Sequence, residues 1–384
     1  MQRIYLDHNA SSPLRPEARL ALIKALEAPT NPSSVHHEGR SAKGILEESR
    51  RIFASGLCTH PKNITFTSGA TEAANFVLSP SLRLKGAATS VEILLIAAGE
   101  HPAVLKGHRF LTDNTVILPL TRDGVICLDQ LKETLARLNG KRAMLALQVV
   151  NNETGVIQPI NEASLIVKEH GGIVISDATQ AIGRMPVSFD CLKTDILFFS
   201  SHKIGGPLGA GVLAYSSDSY DLQEKLLLGG GQEFGRRAGT ENIPAIAGFA
   251  AAYTVARSQI EREVKRLGRL RQELETKLVK TIPEIIIFSQ LAPRVANTVA
   301  FAIPDVSAQT LLMALDLAGV SLSTGSACSS GKVNSSHVLE AMGTTEKMAL
   351  RVSMGWSTCD QDIEVFGTIL ENVVRTIRLR RTGA

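Results

Sequence analysis

The sequence predicts an α/β protein: a larger part built on a mostly parallel sheet, joined to a smaller α+β part. Three observations carry the prediction. Through the middle of the chain, short apolar runs ("NITFTSG", "VEILLIAAGE", "AMLALQVVNN", "GGIVISDA", "DILFFSSHK", "GAGVLAYS") alternate with helix-sized intervals. Continuous Val/Ile/Leu/Phe runs of this length belong to strands buried on both faces. After about residue 250 comes "ARSQIEREVKRLGRLRQELETKLVKTI", with apolar residues at helical spacing among dense alternating charges. This reads as a long exposed helix linking two domains. Beyond it, "ANTVAFAIP", "GVSLSTGSA" and "ALRVSMG" read as strands mixed with the helical stretches "AQTLLMALDLAG" and "DIEVFGTILENVVRTIRLRR". The expected division is a large domain over 16–250 and a small one over 1–15 and 251–384.

With 384 residues, 44% of them hydrophobic, the chain can bury a large core. Its net charge of +4 is modest and its basic residues are dispersed apart from "RTIRLRR", so no nucleic-acid footprint stands out. That tail suits the C-terminal end of a helix. No basic region followed by an apolar run opens the chain, and no apolar stretch is long enough to span a bilayer, so a cytoplasmic protein without membrane contact is expected. The five cysteines, Cys58, Cys127, Cys191, Cys328 and Cys359, are widely spaced without a C-x-x-C pair, which argues against disulfides and a metal site and for a reducing compartment.

In open α/β sheets, ligands bind beyond the carboxyl ends of the strands. Five strand candidates end in chemically capable residues: Ser68-Gly69-Ala70-Thr71-Glu72, Glu100-His101-Pro102, Asn151-Asn152-Glu153, Asp177-Ala178-Thr179-Gln180 and Ser201-His202-Lys203. Any one could be an ordinary turn, but five together favour a site. "TSGATEAANFVL" runs from strand through glycine into helix, so the N–H groups of Ala70 and Thr71 offer a phosphate cradle. It lacks the lysine of a P-loop, and no G-x-G-x-x-G follows a strand. A lysine after one strand, an acid after its neighbour and a phosphate cradle are what pyridoxal phosphate requires: an amine for its aldehyde, a carboxylate for its ring nitrogen and an anion site. The candidates are Lys203, Asp177, and the Ala70/Thr71 turn with Ser200 and His202. Lys203 alone would read as a surface lysine in a glycine-rich turn. "STGSACSSG" sets Cys328 among small residues with little to pack around it. A reactive thiol and a plain turn with an incidental cysteine read equally well from those nine residues.

Taken together and in order, "YLDHNASSP", "NPSSVHHEGR", "FTSGATEAAN", "EHPAVL", "NNETGVIQPI", "DATQAIGRMPV", "SSHKIGGPLGAGVL", "GGGQEFGRRAGTEN", "STGSACSSG" and "LRVSMG" resemble the cysteine desulfurases of the NifS/IscS type, class V aminotransferase-like enzymes of pyridoxal phosphate fold type I. The resemblance spans almost the whole chain. It implies a homodimer that removes sulfur from L-cysteine, leaving L-alanine and a persulfide on Cys328 for a protein acceptor, such as an iron–sulfur scaffold. It implies that Lys203 binds the cofactor, Asp177 pairs with its ring nitrogen, Gln180 and Asn152 lie near its ring oxygen and His101 stacks on the ring. Ala70, Thr71, Ser200 and His202 would bind the phosphate, with Thr240 from the neighbouring subunit. Arg351, helped by Asn31, would take the substrate carboxylate, and Lys203 or His101 the α-proton. "GSAC" resembles the group with the longer cysteine loop. Two departures stand out: Ser201 where a glycine is common, and an end at "RLRRTGA" without the tail some members use to dock a scaffold. An aminotransferase or selenocysteine lyase of the same fold, and a non-catalytic member, are the competing readings.

Overall fold

Seven short apolar segments become the strands of one central sheet in the computed structural model: β1 (Ile64–Thr67), β2 (Ile93–Ala97), β3 (Thr115–Leu118), β4 (Ala143–Ala146), β5 (Ile173–Asp177), β6 (Ile196–Ser200) and β7 (Gly211–Tyr215). The structure describes residues 3–29, 31–84, 91–217, 219–222, 225, 227–325 and 335–382; Cys328 lies outside them. The strand order is β1-β7-β6-β5-β4-β2-β3; β7 is antiparallel to both its neighbours, and the other six strands share one direction.

Both faces of this sheet are covered, which is why its strands read as unbroken apolar runs. Leu95, Val174, Leu197 and Phe199 point into one core with α1 (Pro16–Leu26), α2 (His37–Leu57) and α8 (Ile243–Ser258). Leu94, Ile96, Ile175 and Phe198 point into the other with α3 (Ala70–Val77). The edge strand β3 is the one the sequence reading did not find. It is only half buried, with Ile117 51% exposed, so "TVIL" carries neither flanking pattern nor alternation.

A third core lies around an antiparallel sheet of β8 (Ile286–Ile287), β9 (Thr298–Ala302), β10 (Ser323–Thr324) and β11 (Leu350–Ser353), in the order β8-β9-β11-β10. Ile4 and Leu6 belong to this core, because Ile4–Tyr5 pairs with Val320–Ser321. The charged stretch after residue 250 is two helices rather than one: α8 ends at Ser258 and α9 (Ile260–Thr281) begins after Gln259. Nor is α9 merely exposed. Leu267, Leu270, Leu274 and Leu278 form one buried stripe against the third core, while Glu261, Arg262, Lys265, Arg269 and Glu273 face water and Arg266 and Arg271 donate to neighbouring backbone carbonyls. Among the described residues no helix is long and apolar enough to cross a membrane.

Candidate active site

Because β1, β2, β4, β5 and β6 run the same way, the polar turns that follow them collect at one edge of the sheet. They border a cavity of about 510 Å³ that is closed on the far side by Asn9 and Ala10 from the N-terminal segment and by Gly325 and Arg351 from the small sheet. That size suits a small cofactor with its substrate. Ala70, Thr71, His101, Asn152, Asp177, Gln180, Ser200, His202, Lys203 and Arg351 all line it.

The anion end is built by close backbone approach. A Cβ at Gly211 would lie 2.6 Å from Cα of Gly69, so the bare backbone of β7 lets the Ser68–Gly69 turn lie flat before α3 starts. The first N–H groups of α3, those of Ala70 and Thr71, have no partner within the helix and are free for an anion. The carboxylate of Glu72 accepts from Ser68 N at 2.9 Å and from Arg237 Nε at 2.9 Å, which fixes the turn and neutralises the acid beside it.

At the centre, Lys203 Nζ donates to the carbonyls of Asn9 (2.7 Å) and Ala10 (2.8 Å). Asp177, at the end of β5, accepts from Thr179 N at 2.8 Å. Burial pushes its carboxyl above the usual range against the opposing pull of Thr179, His101 and Lys203. A cationic ring nitrogen is the kind of group such a carboxyl lacks. His101 caps α4 (Pro102–Leu105), accepting from Ala103 N at Nδ1 over 3.1 Å. Burial depresses its pKa, so it is neutral with its proton on Nε2. His202 is held down to about 4, by burial first and then by Lys203 and Arg184.

Arg351, on β11, donates from Nη1 to the Asn152 carbonyl (2.9 Å) and from Nη2 to Asp7 (2.8 Å), while its Nε has no partner. Asn152 Oδ1 and Thr179 Oγ1 are likewise buried without partners at the cavity wall. Two expected residues are not brought to this cavity. Asn31 is exposed and its Oδ1 caps its own turn at Ser33 N (3.0 Å); Thr240 is exposed beside Thr67, Ser68 and Arg237 in a neighbouring hollow. Ser201 points away from the cavity, its hydroxyl buried against Gly206.

Two residues to which the sequence reading gave no role belong to the arrangement. Arg184 is partly buried, donates to Gln180 and to the carbonyls of His8 (3.2 Å) and Lys203 (3.4 Å), and burial lowers its pKa to about 9. Asn9 offers its carbonyl to Lys203 and to Gln180 Nε2 (3.0 Å). Neither follows a strand of the central sheet directly, so the strand-end rule passes over them.

The orphaned amide, hydroxyl and guanidinium atoms, the helix start and the buried acid fit pyridoxal phosphate in shape and chemistry. A lysine and an acid after neighbouring parallel strands, facing a phosphate-sized helix start, define a pyridoxal phosphate enzyme of fold type I. The pattern of the family described as Aminotransferase class-V matches residues 4–366. The chain is 34% identical to cysteine desulfurase IscS of Dictyoglomus turgidum, over 98% of this chain and 96% of that one. It is 35% identical to a cysteine desulfurase of Trichormus azollae, over 98% and 94%. Its structure superposes on a NifS-like protein from Rickettsia africae with a TM-score of 0.86 and 32% identity, covering 97% and 100% of the two chains. The chain therefore belongs to the class V aminotransferases, among the NifS/IscS-type cysteine desulfurases, which are pyridoxal phosphate enzymes.

Proposed function

We propose that this chain takes sulfur from L-cysteine through Cys328, with Lys203, Asp177 and Arg351 doing the work at the cavity. The observation that carries the proposal is one cavity lined by an amine, a buried acid, a helix N-terminus and a guanidinium with a spare N–H. Pyridoxal phosphate, when bound, supplies an aldehyde for amine capture and a ring that accepts the electrons of a bond broken at the substrate's α-carbon. Lys203 Nζ would hold the aldehyde carbon, Asp177 the protonated ring nitrogen, Asn152 and Gln180 the ring oxygen, and His101 the ring face. Ala70, Thr71, Ser200 and His202 would hold the phosphate. Arg351 would take the substrate carboxylate, using Nε, which asks for no broken hydrogen bond. The exposed position of Asn31 supports no such contact from this subunit.

Lys203 is the better base for the α-proton. With His101 Nδ1 accepting from Ala103 and its proton on Nε2, the neutral imidazole has no free lone pair, whereas an amine displaced by the substrate has one. Thiolate Cys328 then attacks the substrate's sulfur. The S–S bond forms as the C–S bond breaks, the electron pair passes to the former β-carbon, and protonation there, with return of the α-proton from Lys203 to the α-carbon, completes L-alanine. The persulfide on Cys328 passes to a protein acceptor in iron–sulfur assembly or another sulfur-transfer route. A homodimer with Thr240 reaching the second copy's phosphate fits its place outside the cavity of its own chain, and a cytoplasmic setting fits the dispersed thiols.

The test compares L-alanine formation from L-cysteine, with reductant and saturating pyridoxal phosphate, in the wild type and Cys328→Ala. Alanine from the wild type and almost none from the variant is expected. Equal formation would remove Cys328 from the mechanism and favour a lyase without a persulfide; none from either would favour an aminotransferase.

A further inference from the structure

Glu153 follows Asn152 in the turn after β4, and the mechanism above leaves it unused. It is 4% exposed, and its position is fixed from beneath. Asn151 Oδ1 accepts from Glu153 N (2.9 Å) and Thr154 N (2.9 Å), and Gly155 N donates to the Asn151 carbonyl (3.0 Å). A Cβ at Gly155 would lie 2.8 Å from Cβ of Thr298 on β9, and Val295 N donates to the Gly155 carbonyl at 2.9 Å, so the turn is wedged between the two sheets.

On this rigid turn the Glu153 carboxylate meets two points of the chain that lie far apart in sequence from it and on either side of Cys328. Ser336 Oγ donates to Glu153 Oε2 at 2.5 Å while accepting from Leu339 N at 3.1 Å, so the hydroxyl's one proton is committed to the carboxylate and its oxygen to the helix start. Gly325 lies directly against the same oxygen: a Cβ there would collide with Oε2 and come within 2.7 Å of Cδ. Gly325 borders the cavity, next to β10, and the Glu153 charge also faces His337 and Arg351. Chain between residues 325 and 336 could span on the order of 35 Å if extended. Its two ends instead share one carboxylate oxygen.

Resting on the reading of Cys328 as nucleophile, we propose that Glu153 is a positioning residue for sulfur transfer, tying the far end of the Cys328 segment through Ser336 and packing against its near end at Gly325 on the floor of the site. Glycine at 325 and serine at 336 are then required, the first by the space the carboxylate fills and the second by its hydroxyl.

The test uses the cofactor-loaded protein with Glu153→Ala, Glu153→Gln and Ser336→Ala. A displacement near 1 Å at reacting atoms costs on the order of 100-fold in rate. Glu153→Ala is therefore expected to lower kcat by about 10- to 100-fold, with KM for L-cysteine and the cofactor's spectral response to L-alanine retained. Glu153→Gln, whose amide oxygen can still accept from Ser336, recovers most of that loss. Independently of turnover, the rate of iodoacetamide alkylation, read peptide by peptide, shifts several-fold at Cys328 and stays put at Cys58, Cys191 and Cys359. If Glu153→Ala does not fold, Ser336→Ala carries the same readouts. The proposal is overturned by an unchanged kcat, by a kcat loss without a selective change at Cys328, or by parallel loss of the L-alanine response. Failure of the parent reading looks different: Cys328→Ala would then be as active as wild type, whatever alkylation reports.

Discussion

The two sides of the cavity are built differently. On the central-sheet side, five strands deliver their turns directly to the site, and each chemical group stands within six residues of the end of a fully buried strand. On the small-sheet side, Arg351 and Gly325 are the lining residues among those described. Both lean on groups from elsewhere: Arg351 on Asp7 and Asn152, and Gly325 on Glu153. A parallel sheet with both faces buried fixes positions through its backbone, whereas the small sheet reaches across by side chains. The first kind of construction suits a resident cofactor, the second a substrate and a sulfur that come and go.

Arg351→Lys gives the largest effect that separates the two sides. A lysine keeps the charge but loses the fork that serves Asp7, Asn152 and an incoming carboxylate together. Hydrogen bonds to charged groups are each worth about 1.5–3 kcal/mol, so kcat/KM for L-cysteine should fall about 10- to 100-fold. Cofactor content and its absorbance should be unchanged. A variant that loses the cofactor in parallel would mean the two sides are one unit, and the contrast would break.

The contrast also explains what could be read from the sequence. Strand ends of the central sheet were legible because apolar runs and the polar turns after them are adjacent in sequence, so Asp177, Lys203 and His101 stood out locally. Arg184 did not, and Glu153 stood out only as one strand-end residue among several, without a role. Their partners, His8, Gly325 and Ser336, come from the far ends of the chain, and "GRM" or "NET" carries no local sign of such contacts. Edge strand β3 was invisible because half its surface is wet. The break at Gln259 was hidden because charge alternation continues across it, while the leucine stripe of α9 could have shown that this helix packs against a core.

A medium effect tests the seam between the sides. His8 is fully buried, with Nδ1 3.0 Å from Ser12 Oγ and Nε2 near Ser357 and Thr358, and its carbonyl accepts from Arg184. Burial, with Arg184, Arg15 and Arg266 nearby, lowers its pKa to about 3. Below its ordinary value near 6.5 the unfolded chain binds a proton that the fold refuses, so stability falls with pH between about 6.5 and 3. The loss is about 1.4 kcal/mol per unit, or about 2 kcal/mol at pH 5 from this group alone. His202, lowered to about 4, acts in the same direction. Urea midpoints between pH 7 and 5 should fall more steeply for wild type than for His8→Gln; equal slopes would show that the seam does not hold a neutral imidazole.

The smallest effect sharpens the claim that the central-sheet side gets its geometry from backbone. Ser201 stands between Ser200 and His202, two residues before Lys203, yet its buried hydroxyl has no hydrogen-bond partner and faces Gly206, away from the cavity. An unsatisfied buried polar group costs about 1–3 kcal/mol, part of which alanine gives back without leaving a methyl-sized hole. Ser201→Ala should therefore raise the unfolding free energy by about 1 kcal/mol and leave kcat and KM for L-cysteine unchanged. The backbone donors that hold the turn, Ser201 N to the Ala210 carbonyl and Gly206 N to the Ser201 carbonyl, survive the substitution. A stabilised, fully active variant two residues from the reacting amine would mean that Lys203 is aimed by the strand end and these backbone bonds. A stabilised variant with reduced kcat would mean instead that the Ser201 hydroxyl takes part in aiming it, and the central-sheet side would then depend on side chains as the small-sheet side does.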